Sequence, residues 1–230
     1  MKRTFVIILF ACSFLATSCA VVADHMATQL PEASTSDGST DPYIAMLHGL
    51  PGRTFDPNIP EYNRQAFGQR WSDDVSVEGG HNGCDTRNDT LARDLTEVAF
   101  KPGTRDCVVV SGVLADPYTG ATIHFVRGNG TSEEVPIDHV VALADAWYAG
   151  AYLWDEPRRQ DFANDPVNLQ ATTKDANRAK SAKTADTWLP PNPDYHCDYA
   201  RRQIDIKSRY YLAVTDAERF ALEQALGSCL

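Results

Sequence analysis

The stretch that decides the fold lies between residues 134 and 191. It reads EVPIDHVVAL at 134–143 and, after a spacer, NDPVNLQATTKDANRAKSAKTADTWLPP at 164–191. The first segment predicts a short strand, and the second predicts another short strand followed by a helix. Two strands and a helix in this order indicate a ββα core, which we expect to occupy residues 134–184.

Four polar side chains in this core suggest metal-assisted hydrolysis of a phosphodiester. Asp138 supplies a carboxylate and Asn177 an amide oxygen, which are the hard ligands that suit Mg²⁺. His139 can take a proton from the attacking water because an imidazole titrates near neutral pH. Asn168 is expected to support the site by tying the loop together or by holding the His139 ring. Taken alone, the Asp-His pair would also fit a surface turn.

The predicted helix after the second strand carries a local excess of positive charge. Lysine or arginine occupies four positions in ten residues, while the whole chain of 230 residues has a formal net charge of -10. Such a balance argues against a protein that coats nucleic acid, but a local cluster can dock a phosphate backbone. A solvated helix face is the alternative. The cluster consists of Lys174, Arg178, Lys180 and Lys183.

The N-terminus resembles an export signal. Lys2 and Arg3 precede an apolar run that is too short to span a bilayer, and small residues follow it. We expect a signal peptide at residues 1–23, with cleavage after residue 20 or 23, and a secreted protein without a membrane span. An imperfect bacterial lipoprotein box offers an alternative, in which the signal ends before Cys19 and a lipid on Cys19 anchors the chain to the cell surface.

Beyond the signal, residues 24–41 are rich in Ser, Thr, Asp and Pro and predict a flexible linker. Residues 42–230 are expected to form a single domain. A helical pattern covers 81–100, and two β-rich runs around the turn DPYTG predict a hairpin within 107–126. Further helices are expected on both sides of the second strand, so the fold class is α+β.

Four cysteines remain once the signal is removed, and in an oxidising compartment they allow three pairings. We expect Cys84 to pair with Cys107 and Cys197 with Cys229, because each pair falls in one segment and the second pair would fix the C-terminal tail. A zinc site is the rival interpretation. It lacks a CxxC or CxxH pair with which to begin a tetrahedral site.

Several segments together resemble a known family. The segments are DHVVAL, FANDPVNLQAT, NRAK and TWLPP, with GCDTRNDTLARDL and FKPGTRDCVV upstream and YHCDYARRQIDIKSRY downstream. They are similar to the HNH (ββα-metal) endonuclease superfamily, in particular to secreted bacterial HNH-family proteins related to the C-terminal domain of the GmrSD restriction endonuclease. The resemblance covers residues 70–229 approximately, and it implies an α+β fold with a ββα-metal core, an upstream β-hairpin and surrounding helices.

The resemblance also implies an activity and its residues. It implies an endonuclease with one divalent ion, Mg²⁺ or Mn²⁺, in which His139 is the general base and Asp138 and Asn177 are metal ligands. Asn168 matches the middle asparagine of the motif, and the third position is Asn177 where many members have histidine. Arg87 lies in the upstream block and could reach phosphate, although a structural salt bridge fits it equally well.

The sequence therefore predicts a secreted, monomeric bacterial endonuclease that cuts nucleic acid, DNA rather than RNA, by a one-metal mechanism. The rival from another class is a non-catalytic exported module that binds nucleic acid or a cell-surface partner. A hydrolase of some other phosphodiester is a third hypothesis.

Overall fold

Five strands form two small antiparallel sheets within residues 41–229, the part of the chain that this computed structural model describes. One sheet has three strands in the order β1-β2-β3, and the other pairs β4 with β5. The strands are β1 (Leu95–Phe100), β2 (Val109–Ala115), β3 (Thr122–Val126), β4 (Ile137–His139) and β5 (Leu169–Ala171).

Seven α-helices and several short 3₁₀ turns surround these sheets in the described residues. Capping matches the sequence pattern: the side chain of Asp155 accepts a hydrogen bond from the backbone of Arg158, and Thr215 accepts one from Glu218. The mixed α+β class expected from the sequence is confirmed. The helices are α1 (Pro42–His48), α2 (Thr86–Asp94), α3 (Leu143–Tyr148), α4 (Glu156–Asn164), α5 (Lys174–Lys180), α6 (His196–Tyr210) and α7 (Asp216–Leu226).

Strands β4 and β5 pair although α3 and α4 separate them along the chain. Their register places Ile137 opposite Ala171 and His139 opposite Leu169. The free edge of β5 is covered by Asp94 at the end of α2, whose carboxylate accepts a hydrogen bond of 2.7 Å from the Ala171 backbone. The sequence predicted both strands but not how they pair across the long spacer.

The helix expected over residues 81–100 is wrong in its second half. Helix α2 ends at Asp94, and the following LTEVAF segment is strand β1. This segment contains β-branched and aromatic residues and pairs with β2, so tertiary pairing outweighs the helical spacing of its apolar residues. The predicted hairpin is present as β2 and β3, and β1 extends it to a three-stranded sheet.

Three clusters of buried apolar side chains form the core. The largest contains Phe67, Trp147, Phe162 and Tyr199 and lies under α3, α4 and α6. A second joins α1, α6 and α7, and a third joins the three-stranded sheet to α2, β4 and β5. The short strands β4 and β5 thus take their support from the surrounding elements, since a two-stranded hairpin is only marginally stable by itself.

Two disulfides connect the predicted cysteine pairs, Cys84 with Cys107 and Cys197 with Cys229. The first joins the start of α2 to the β1–β2 connection, and the second joins α6 to the C-terminal end. The predicted signal, its alternative lipid anchor at Cys19 and the linker as far as residue 40 lie outside the described residues. Among residues 41–229, no helix is both long and apolar enough to cross a bilayer.

Candidate functional site

His139 stands at the end of β4, and its surroundings fix its tautomer. Its Nε2 atom lies 2.8 Å from the backbone oxygen of Ala163 at the end of α4. A carbonyl oxygen can only accept a hydrogen bond, so Nε2 carries the proton and Nδ1 carries the lone pair. The imidazole ring also lies parallel to the indole of Trp71, at an interplanar angle of 7° and a centroid distance of 6.1 Å.

The His139 side chain is neutral in the folded protein near pH 7. The pKa of His139 is lowered from 6.5 to about 3, chiefly by burial; the bond to Ala163 opposes the shift, and the positive charges of Arg64, Lys180 and Arg70 contribute to it. A neutral imidazole with Nδ1 unprotonated can accept a proton. This is the state that a general base requires before reaction.

Asp138 faces a different environment from His139 because successive side chains in a strand point to opposite sides. Its carboxylate accepts a hydrogen bond of 2.9 Å from the hydroxyl of Tyr118 and forms an ion pair of 3.0 Å with Lys180. Burial raises the pKa of Asp138, and Lys180 and Tyr118 oppose that effect. Lys180 also donates to the backbone oxygen of His139 at 2.7 Å, so it joins α5 to β4.

Asn168 is buried immediately before β5 and acts through the backbone. Its side-chain oxygen accepts a hydrogen bond of 2.8 Å from the Val141 nitrogen, and its amide donates to the oxygens of Val141 and Phe162. It therefore ties the segment after β4 to the end of α4, where Ala163 holds the His139 ring. These contacts agree with the expectation that Asn168 ties the loop together.

One cavity of about 300 Å³ brings three of the four core residues together. Asp138, His139 and Asn177 line it, and Asn168 lies behind them in the interior. Asn177 sits on α5, and within the described residues its side chain has no hydrogen-bond partner, which leaves its amide oxygen free to bind a ligand. The remaining polar residues of the cavity lining are Tyr62, Arg64, Arg70 and Ser181.

The expected cation cluster on α5 is not a continuous phosphate-binding surface. Lys180 is fully buried against Asp138, so it cannot reach a phosphate backbone as the sequence predicted. Lys174 pairs with Glu133 and Glu134 at 3.4 and 3.3 Å. Only Arg178 and Lys183 are exposed members of the predicted cluster, and Lys183, which follows the end of α5, donates to the backbone oxygen of Ala179 on that helix.

Arg87 has a structural position as well. Its guanidinium donates hydrogen bonds of 2.9 Å to the backbone oxygens of Ser132 and Val135, which lie in the segment that leads into β4. Burial lowers the pKa of Arg87. The prediction that Arg87 reaches a phosphate therefore disagrees with its hydrogen bonds, and the side chain instead fixes the approach to β4.

Asp138 and Asn177 differ in how available their oxygen atoms are to a divalent cation. Within the described part of the chain, no group of three or more His, Cys, Asp or Glu side chains is placed to bind a metal ion. Asp138 is already bonded to the ammonium of Lys180, which repels a second cation. Asn177 offers an uncommitted amide oxygen, but Arg64 and Arg70 line the same cavity and also repel a cation, and joint binding of an ion by Asp138 and Asn177 requires Lys180 to move.

One side of the cavity was not predicted from the sequence. It consists of Tyr62, Arg64, Arg70 and Trp71, in a segment whose function the sequence did not indicate. Their signal in the sequence is the combination of arginines and aromatic residues in RQAFGQRW. It does not show that the segment faces His139, which lies far along the chain.

The α+β fold thus brings a neutral histidine and an asparagine together in one cavity. The chain belongs to the family described as GmrSD restriction endonucleases, C-terminal domain, which matches residues 85–224, more than half of the chain. A relative from Arthroderma benhamiae (strain ATCC MYA-4681 / CBS 112371) is 37% identical over 233 residues, covers 100% of both chains, and bears the name "Uncharacterized secreted protein". No solved structure matches the chain.

The lowered pKa of His139 predicts a dependence of stability on pH. Between pH 6.5 and about 3 the unfolded chain protonates this side chain and the folded chain does not. The free energy of unfolding therefore falls as the pH falls through this window, by about 1.4 kcal/mol per pH unit from this group. Urea unfolding in EDTA at several pH values should show this slope as the difference between the wild type and His139→Gln. A difference that is constant with pH would contradict the buried, neutral histidine.

Proposed function

We propose that this protein is a secreted endonuclease that hydrolyses phosphodiester bonds of nucleic acid, DNA rather than RNA, with His139 as the general base. The observation that carries the proposal is the His139 ring, which lines a cavity with Asn177 and two arginines and has its tautomer fixed by Ala163. Membership in a restriction-endonuclease domain family supports the reaction class.

The proton transfer follows from the hydrogen bond to Ala163. Because Nε2 carries the hydrogen, Nδ1 is the ring nitrogen that takes a proton from the water that attacks phosphorus. A phosphodiester bound in the cavity brings a negative charge near the ring, and an opposite charge raises the pKa of an imidazole. Substrate binding thus moves His139 from a very weak base toward one suited to neutral pH.

The strands β4 and β5 and the helix α5 form the ββα unit of this proposed site. One divalent ion, Mg²⁺ or Mn²⁺, held through Asn177 would neutralise charge on the phosphate when bound. Asp138 and Lys180 then act as positioning residues, because their ion pair and the bond from Lys180 to the His139 backbone hold β4 against α5. Asn168 fixes the other end of the same loop.

Secretion is part of the proposal and rests on three observations. The N-terminal sequence has the pattern of an export signal, two disulfides are present, and the similar protein from Arthroderma benhamiae bears a name that calls it secreted. Disulfides of this kind form and persist in oxidising compartments. Neither a bacterial source nor a lipid anchor gains support from these observations.

A plasmid-cleavage assay tests the function. We expect purified protein to nick or cut plasmid DNA with Mg²⁺ or Mn²⁺ but not with EDTA, and we expect His139→Ala to lower the rate by about 100- to 10,000-fold. His124→Ala is the matched control, since His124 is exposed on β3 and does not line the cavity. A parallel assay with RNA tests the substrate preference.

Two outcomes would contradict the proposal. Absence of cleavage with any divalent metal, together with retained DNA binding, would favour the non-catalytic binding module. Cleavage that His139→Ala leaves undiminished would show that another group generates the nucleophile.

A further inference from the structure

Two arginines beside His139 come from a segment outside the family match. Arg64 and Arg70 line the same cavity as His139 and Asn177. The family match covers residues 85–224, so both arginines precede it. The cavity is therefore completed by a part of the chain that lies outside the family match.

Both guanidinium groups lack protein partners. Within the described residues, neither Arg64 nor Arg70 forms an ion pair or a side-chain hydrogen bond, although arginines elsewhere in the structure, such as Arg53, Arg87 and Arg202, have at least one such contact. Burial lowers the pKa of Arg64; Tyr62 acts in the opposite direction, and the nearby charge of Arg70 lowers the pKa further. Two like charges held together without a carboxylate repel each other, and a bound anion would relieve that repulsion.

The segment that carries the arginines is held rigidly. Phe67, at the end of the 3₁₀ turn Arg64–Phe67, is fully buried among the aromatic side chains of the largest core cluster. The backbone oxygen of Ala66 accepts a hydrogen bond of 2.7 Å from Arg159 on α4. Gly68 then turns the chain at φ 71° and ψ -160°, a conformation that is essentially restricted to glycine. These contacts set the backbone from which the two arginines project, while the Arg70 side chain is exposed.

The same segment touches the proposed general base. Trp71 follows Arg70 directly, and its indole lies parallel to the His139 ring. A ligand bound by the two guanidinium groups would therefore lie next to the imidazole. Of the cations that the sequence suggested for this task, Lys180 is buried, Arg87 bonds to backbone oxygens and Lys174 pairs with glutamates. The other two, Arg178 and Lys183, are exposed but do not line the cavity.

We propose that Arg64 and Arg70 bind the phosphodiester group of a nucleic-acid strand beside His139. The proposal rests on the proposed nuclease function and names the substrate-binding residues of that site. A guanidinium presents a planar set of donors that matches phosphate oxygens, and charge-assisted hydrogen bonds of this kind are stronger than neutral ones. Because the chain has a net charge of -10, it repels a polyanion at long range, and binding a nucleic acid requires short-range contacts of this kind.

Binding measurements without cleavage test the proposal. Fluorescence anisotropy with labelled duplex DNA in EDTA, on a His139→Ala background, reports affinity alone. We expect Arg64→Gln and Arg70→Gln each to weaken binding by about 10- to 100-fold. The slope of log affinity against log salt should become shallower by about 0.9 for each arginine removed. Arg105→Gln is the matched control, because Arg105 is exposed on the β1–β2 connection and does not line the cavity.

Two further measurements complete the test. Cleavage kinetics are measured in protein that retains His139. In the binding assay, Arg64→Lys and Arg70→Lys should keep part of the affinity that the glutamine variants lose, since lysine keeps the charge and lacks the planar donors. Thermal unfolding of each variant establishes that it is folded. A merely structural role would change the unfolding temperature and leave the salt slope of the folded variant unchanged.

The outcomes separate this inference from the proposed function. Unchanged DNA affinity and salt slope in both glutamine variants, with cleavage intact, would overturn the phosphate site and leave the nuclease standing. Weaker binding in both variants of a protein that never cleaves DNA would support the phosphate site and reject the nuclease. No DNA binding by the wild type would overturn the inference.

Discussion

Replacing Lys180 with methionine is expected to lower the free energy of unfolding by about 3–5 kcal/mol and to remove most cleavage activity. The Lys180 ammonium is fully buried and pairs with Asp138, whose carboxylate is also buried. Methionine fills similar space but leaves the carboxylate without its cation, and an unpaired buried charge is strongly destabilising. The bond from Lys180 to the His139 backbone is lost as well, so the end of β4 loses its link to α5.

Urea unfolding measures the loss, and two further variants identify its cause. Lys183→Met, three residues further on and exposed, should change stability by less than about 0.5 kcal/mol. Adding Asp138→Asn to Lys180→Met should recover part of the loss, with a coupling energy above about 1 kcal/mol. If Lys180→Met instead retained full stability and lost only DNA affinity, Lys180 would be a surface phosphate ligand, as its sequence context suggested.

The burial of Lys180 could not be predicted from the sequence. In the sequence it belongs to a run of lysines and arginines on a predicted helix, which is typical of a solvated or phosphate-binding face. Its partner Asp138 lies on another element, and the burial of the pair depends on how α5 packs against β4. Local composition carries no information on that packing, so the role assigned to Lys180 from the sequence was wrong while its helix was right.

Local rules predicted the elements whose ends are set by neighbouring residues. The starts of helices α4 and α7 are examples, because Asp155 and Thr215 cap them from adjacent positions. Strand β1 was missed because its identity depends on pairing with β2, which lies across a turn and a disulfide. The sequence thus predicts the elements with local signals better than those that a neighbouring strand decides.

The candidate site likewise contains residues that could be predicted from the sequence and residues that could not. The resemblance of the core segments to a known family named Asp138, His139 and Asn177, and the structure brings all three to one cavity. Arg64 and Arg70 were not foreseen, because their segment is irregular and no periodicity indicates which way it faces. Their role remains a proposal, but their position follows from Phe67, which only a folded core can orient.

A second buried ion cluster lies between α3, α6 and α7. The ammonium of Lys207 on α6 lies 2.7 Å from Asp145 on α3 and 2.8 Å from Glu218 on α7. Arg53 adds a second cation at 2.7 Å from Asp145. Burial acts to lower the pKa of Lys207, but the two carboxylates outweigh it and the pKa is raised. Lysine therefore stays charged, and the cluster joins three helices.

Lys207→Met is accordingly expected to lower the free energy of unfolding by about 3–5 kcal/mol, because Asp145 and Glu218 would be left with only Arg53 to balance them. Chemical denaturation at pH 7 measures the change, with the exposed Lys101→Met as the control that should stay within about 0.5 kcal/mol of the wild type. Glu218→Gln added to Lys207→Met removes the excess negative charge and should restore part of the stability. A Lys207→Met protein as stable as the control would show that water compensates for the lost ammonium and that the ion pairs do not hold the three helices together.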